Sequence, residues 1–91
     1  MIRELYGTSI LKYENNEETL EYYMLNNNDE SNEKKIGIYG IEIVKKNKKS
    51  EEKSFIQDLT VNKEFAEEIL QKVKDNMVTP VHLYDVIENF L

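Results

Sequence analysis

The last stretch of the chain, residues 78–91, constrains its fold most, because a helix start is followed there by an apolar face. Thr79 is a good N-cap residue, and Pro80 suits the first helical position, where its missing N–H costs nothing. Val78 and Leu83 stand at the positions of a hydrophobic staple. The apolar residues of one helical face are Leu83, Val86, Ile87, Phe90 and Leu91. We therefore expect this helix to be docked on a core, with its last two residues largely buried.

A second amphipathic helix is predicted just before this segment. Asn62 is its N-cap, glutamates fill its first turns, and Lys72 and Lys74 lie in its last turn, which suits the helix dipole. Asn76 is predicted to end it in a left-handed conformation. Its apolar stripe consists of Phe65, Ala66, Ile69, Leu70, Val73 and Met77.

The first two thirds of the chain have the pattern of β-strands. Four segments rich in β-branched and aromatic residues are separated by polar turns; they span residues 2–13, 19–25, 36–46 and 53–59. The polar stretch 26–33 is predicted to be a loop. Gly37 and Gly40 lie inside the third segment, where glycine usually marks a bulge or a close backbone approach.

Strands in sequence followed by helices predict an α+β fold. We expect a four-stranded antiparallel meander with both C-terminal helices packed on one face. The 91 residues form a single predicted domain, with a sheet region at 1–59 and a two-helix region at 62–91.

Strand alternation predicts that both sheet faces carry large apolar residues. One parity collects Leu5, Leu11, Leu20, Tyr22, Met24, Tyr39, Ile41, Ile43, Phe55 and Leu59, and we assign it to the helices. The other parity gives a predicted protein-binding surface, because two short helices cover only one face. This predicted interface consists of Tyr6, Ile10, Tyr23, Ile38, Val44 and Ile56, and Leu25 shares its parity. The alternatives are a homodimer through this face and a monomer in which long Lys and Glu side chains cover it.

Composition narrows the function classes. The chain has no cysteine and one histidine, so thiolate metal sites are impossible and a zinc site would have a poor ligand set. We expect no metal and no cofactor. The N-terminus lacks the apolar core of a signal peptide, and no apolar run approaches a membrane span, so we expect a cytoplasmic protein without membrane contact.

The charge distribution argues against nucleic-acid binding. The net charge is −6, although residues 34–53 carry seven lysines against three acids. A solvated hairpin explains the basic cluster, which has no interleaved aromatic residues of the kind that stack on bases. Binding through Lys45, Lys46, Lys48 and Lys49 remains an alternative that the overall charge disfavours.

No residue set defines a catalytic centre. His82 and Asp85 are the candidate pair, because a carboxylate three residues away on a helix could orient the imidazole as a general base. The same spacing is common on helices without catalytic content. Motifs for nucleophilic serine or phosphate binding are absent from the sequence.

The segment 39–43 and the ending 78–88, with its V-T-P-V-H-L-Y-D-V sequence, resemble a family of small clostridial proteins of unknown function. The resemblance covers the C-terminal half well and the first thirty residues poorly. It implies a bacterial, cytosolic protein and transfers no activity.

These observations favour a non-catalytic protein-interaction or regulatory module. A second hypothesis is an acidic protein that occupies a basic nucleic-acid-binding partner, which the net charge suggests. The third is a small enzyme that uses His82 and Asp85.

Overall fold

The computed structural model describes residues 1–28 and 37–90, so the predicted loop residues 29–33, Ile36 and Leu91 lie outside it. It confirms the predicted α+β fold, a four-stranded antiparallel meander followed by two helices. The strands pair in the order β1-β2-β3-β4. The elements are β1 (Ile2–Lys12), β2 (Glu17–Asn28), β3 (Gly37–Lys46), β4 (Glu51–Thr60), α1 (Lys63–Asp75), a 3₁₀-helix (Pro80–His82) and α2 (Leu83–Glu88).

Short polar turns make the two outer hairpins. Tyr13 and Asn16 close the β1–β2 turn through their backbone groups. In the β3–β4 turn, the Asn47 side-chain oxygen accepts hydrogen bonds from the backbone N–H groups of Lys49 and Ser50. Asparagine favours such turns because its side chain can replace a backbone acceptor.

The helices cover one face of the sheet and form a single core with it. The sheet contributes Leu20, Tyr22, Met24, Ile41 and Ile43 to this core, and the C-terminal region contributes Ala66, Ile69, Leu70, Val73, Val78, Leu83 and Ile87. The predicted apolar stripe of α1 therefore faces the sheet, except that Met77 is exposed. Phe90 is half-buried against this core, as expected for a docked C-terminal segment.

A bulge in β1 reverses the predicted orientation of two residues. Leu5 lies opposite Tyr23 and Gly7 lies opposite Tyr22, so Tyr6 is the extra residue of β1. Tyr6 packs against the helix-side core, and its hydroxyl donates a hydrogen bond to Gln71 at 2.8 Å. Leu5 turns to the opposite face instead. The assignment of Leu5 to the core and Tyr6 to the free face was therefore wrong.

A second irregularity in β4 has the same effect on Phe55 and Ile56. Tyr39 pairs with Thr60 but Ile41 pairs with Ile56, so the β4 backbone between them carries extra residues opposite Gly40. A Cβ on Gly40 would overlap the carbonyl oxygen of Ile56, which explains the glycine. Ile56 packs on the helix-side core and Phe55 turns away from it, contrary to the prediction.

Helix α1 begins as predicted but ends differently. The Asn62 side chain accepts a hydrogen bond from the Phe65 backbone N–H at 3.1 Å, which confirms the cap. At the C-terminus, Met77 and not Asn76 takes the left-handed conformation, with φ at 51°. The bonds from Val78 N to Val73 O and from Met77 N to Lys74 O form a Schellman motif, whose left-handed position follows the helix cap.

The second predicted helix is split. A 3₁₀ turn at Pro80–His82 precedes a six-residue α2, and the Thr79 side chain makes no capping hydrogen bond. The predicted hydroxyl cap was therefore wrong. Val78 and Leu83, the predicted staple, both lie in the core cluster and hold this segment through packing.

Candidate interaction surface

The sheet face without helices, which we call the open face, contains four of the six predicted interface residues. Ladder pairing places Ile10, Tyr23, Ile38 and Val44 there, whereas the two bulges place Tyr6 and Ile56 under the helices. Val44 is fully buried and Tyr23 is 9% exposed within one chain. Ile38 is half-buried and Ile10 is exposed. The predicted set is therefore not one continuous exposed patch.

An ion pair covers the middle of the open face. The Arg3 guanidinium on β1 lies 3.5 Å from the centre of the Tyr23 ring and pairs with the carboxylate of Glu42 on β3. The hydrogen bond from Arg3 to Glu42 raises the pKa of the guanidinium. Glu42 is nearly buried, so this pairing satisfies a carboxylate that would otherwise be costly to desolvate.

A second ion pair lies beside Val44. The Lys46 ammonium contacts the Glu21 carboxylate at 2.9 Å, and this bond lowers the pKa of Glu21. On the helix side, Lys45 lies 3.6 Å from Glu18 and 3.4 Å from the carboxylate of Glu52. Two of the four lysines named as a possible nucleic-acid contact are therefore paired with acids of the same chain.

The apolar side chains that stay exposed on the open face lie at its margins. Leu5 is 56% exposed and Ile10 is 53% exposed on β1, while Phe55 is 44% exposed on β4. Two buried central strands separate these margins. The sequence analysis assigned Leu5 and Phe55 to the helix-covered face, because strand alternation does not account for the two bulges.

The two edge strands differ in how they are protected. Beside β4, the 3₁₀-helix and α2 pack against the strand, and the Tyr84 hydroxyl donates a hydrogen bond to the Phe55 carbonyl at 2.9 Å. Among the described residues, no strand pairs with the outer edge of β1. That edge is eleven residues long and carries the exposed side chains of Ile2, Leu5 and Ile10. Natural proteins usually shield such an edge, so β1 is the candidate interaction surface.

The candidate catalytic residues lie at the surface of the part of the chain that the structure describes. His82 and Asp85 are both exposed on the C-terminal segment. Within residues 1–28 and 37–90, no three potential metal ligands converge.

A groove of about 930 Å³ between the two outer hairpin turns is lined by Lys46, Lys48 and Lys49 together with Glu17 and Glu18, so its charge is mixed. No helix in the described ranges is long and apolar enough to cross a membrane.

These features define a small α+β protein whose meander sheet has one helix-covered face and one face closed by ion pairs. The chain belongs to the family of unknown function DUF6514, whose model matches residues 1–91. No curated protein and no solved structure is significantly similar to it.

Proposed function

We propose that this chain is a non-catalytic, cytoplasmic protein-interaction module that contacts its partner through the β1 side of the sheet. The observation that carries the proposal is the outer edge of β1, with which no strand in residues 1–28 and 37–90 pairs, flanked by the exposed side chains of Leu5 and Ile10. An unpaired edge offers backbone donors and acceptors to an incoming strand, and apolar side chains next to it supply burial.

The rest of the open face supports the choice of β1. Its central residues Tyr23 and Val44 are already covered inside one chain, so they offer little apolar area to a partner. The opposite edge, β4, is partly occupied by the Tyr84 hydroxyl. Of the predicted interface residues, Ile10 is the one that lies exposed on β1, and it is joined there by Leu5, which the sequence analysis had assigned to the core.

A cross-linking experiment in the cells that naturally contain this protein tests this function. The double variant L5D/I10D puts charge on the β1 margin, and the matched control V61D/V81D changes two apolar residues outside β1 that are at least as exposed. We expect the parent and the control to form a discrete adduct with a protein under formaldehyde, and the β1 variant to lose it. An adduct that is equally strong in all three proteins, or absent from all of them, contradicts the proposal.

A further inference from the structure

The β1 side chains on the open face are arranged symmetrically about Thr8. In the ladder, Leu5 lies opposite Tyr23, Thr8 opposite Glu21 and Ile10 opposite Thr19. These β2 partners, Thr19, Glu21 and Tyr23, are spaced two residues apart. The bulge at Tyr6 therefore places Leu5 and Ile10 at equal ladder distances on either side of Thr8, on the same face.

This symmetry makes β1 complementary to itself. An antiparallel pairing of two β1 strands around a two-fold axis at Thr8 sets each Leu5 opposite Ile10 of the second copy. Directly opposite side chains on one face are the pairs that stabilise a sheet. Without the bulge, Leu5 would face the helix side and this match would not exist.

We propose that the partner bound by β1 is a second copy of this chain, joined by antiparallel β1–β1 pairing centred on Thr8. The result is a continuous eight-stranded sheet with the helices of both copies on one side. This inference rests on the proposed function of β1 as an interaction edge and names its occupant and register.

The charges of β1 are compatible with this arrangement. The strand carries Arg3, Glu4 and Lys12, so it contributes a local charge of +1 in a chain whose net charge is −6. In the proposed register, Arg3 faces Lys12 of the second copy at the outer end of the ladder. Arg3 is already paired with Glu42, which neutralises that contact.

The size of the contact predicts a dimer that dissociates readily. In this register nine positions of each strand are paired, residues 3–5 and 7–12, and the ladder is about 30 Å long. An edge-to-edge contact of this length buries less area than a standard protein interface. We therefore expect monomer and dimer to exchange, with dissociation at micromolar concentration or above.

Sedimentation and directed cross-linking test the proposal, and the absence of native cysteine makes each introduced thiol unique. Across micromolar to submillimolar concentration, the parent and V61D/V81D should form dimers, and L5D/I10D should lose them. Under mild oxidation, T8C should give a disulfide-linked dimer, because paired residues near the axis lie within the Cα separation that a disulfide needs. The control K12C lies on the same strand but far from the axis and should remain unlinked.

The register is tested by mixing two variants. L5C and I10C should each stay unlinked alone, and an equimolar mixture of the two should form the heterodimeric disulfide. Monomers at every concentration, or equal linking of T8C and K12C, would overturn the β1–β1 dimer. If the L5D/I10D substitution still abolishes an adduct in cells while the purified parent stays monomeric, the interaction function stands and the occupant is a different protein.

Discussion

The centres of the two sheet faces reach the same degree of burial by different means. Ile43 and Val44 are neighbours on β3 and both are fully buried, but Ile43 lies under α1 and the C-terminal segment, whereas Val44 lies among charged side chains. The helix side is a packed apolar core, while the other side is closed by long side chains that also carry ion pairs. A sheet face without helices is therefore not necessarily free to bind a partner, because long charged side chains of the same chain can cover it.

The sharpest test of this contrast compares Ile43→Ala with Val44→Ala. Loss of the Ile43 side chain should leave a cavity in the rigid helix-side core and lower the free energy of unfolding by about 4 kcal/mol. Val44→Ala should cost about 2 kcal/mol, because it removes less volume and its charged neighbours can close over the gap. Urea denaturation of both variants measures the difference. Equal losses would show that the open face is packed as tightly as the helix side.

The next largest effect concerns the residue that fixes which β4 side chains face the helices. Gly40→Ala puts a Cβ against the Ile56 carbonyl, so the β4 backbone must shift. We expect a loss of about 3 kcal/mol, at the upper end for an overpacked site. Gly37→Ala on the same strand is the control, since its nearest neighbours are side-chain atoms of Tyr39 and Asn26. A smaller loss for Gly40→Ala than for this control would refute the close approach.

The difference between the pH titrations of the parent and Tyr22→Phe probes the helix-covered face. Burial raises the pKa of Tyr22 from 10.0 to about 12, and its hydroxyl donates a hydrogen bond to the Val78 carbonyl at 3.0 Å. Between these two pH values, the unfolded chain loses the proton first, so stability should fall as pH rises. The change approaches about 3 kcal/mol when the full shift is expressed. Tyr22→Phe should flatten this part of the profile, and a variant profile as steep as that of the parent would contradict the assignment.

The smallest expected effect belongs to the open face. Arg3→Met removes the partner of Glu42 and leaves a nearly buried carboxylate unpaired, which should cost about 1–2 kcal/mol because Arg3 itself is partly exposed. The double variant R3M/E42L should recover most of this loss, since it leaves no unpaired charge. Thermal unfolding at low and high salt provides the measurement. A double variant as unstable as R3M would show that the packing of Arg3 on Tyr23, and not charge, dominates.

The sequence predicted the order of the strands and helices correctly, but it did not predict for every strand which side chains face the helices. Alternation identified Leu20, Tyr22, Ile41 and Ile43 correctly, because β2 and β3 run without a bulge beside these residues. It failed at Leu5 and Tyr6, where one extra residue reverses the pattern. The only local sign of that bulge is the following glycine, which a single sequence does not distinguish from any other strand glycine.

The candidate surface was harder to predict than the fold. Val44 lies beside an ion pair between Lys46 on its own strand and Glu21 on β2, and strand periodicity does not predict where such long side chains lie. The position of β1 at the edge of the sheet also had to be known, and it depends on the strand order. Ile10 was identified because it lies beyond the bulge, whereas Leu5 lies before it.

The strand order also favours one order of folding steps. Each strand pairs with its neighbour in sequence, so the sheet grows by adding one hairpin arm at a time. Closing a hairpin between neighbouring segments costs less chain entropy than bringing distant segments together. In such a sequence of events, β1 and β2 can pair before the helices of the C-terminal region arrive. The edge strand would then be complete, with its outer side available, before the core beneath it is closed.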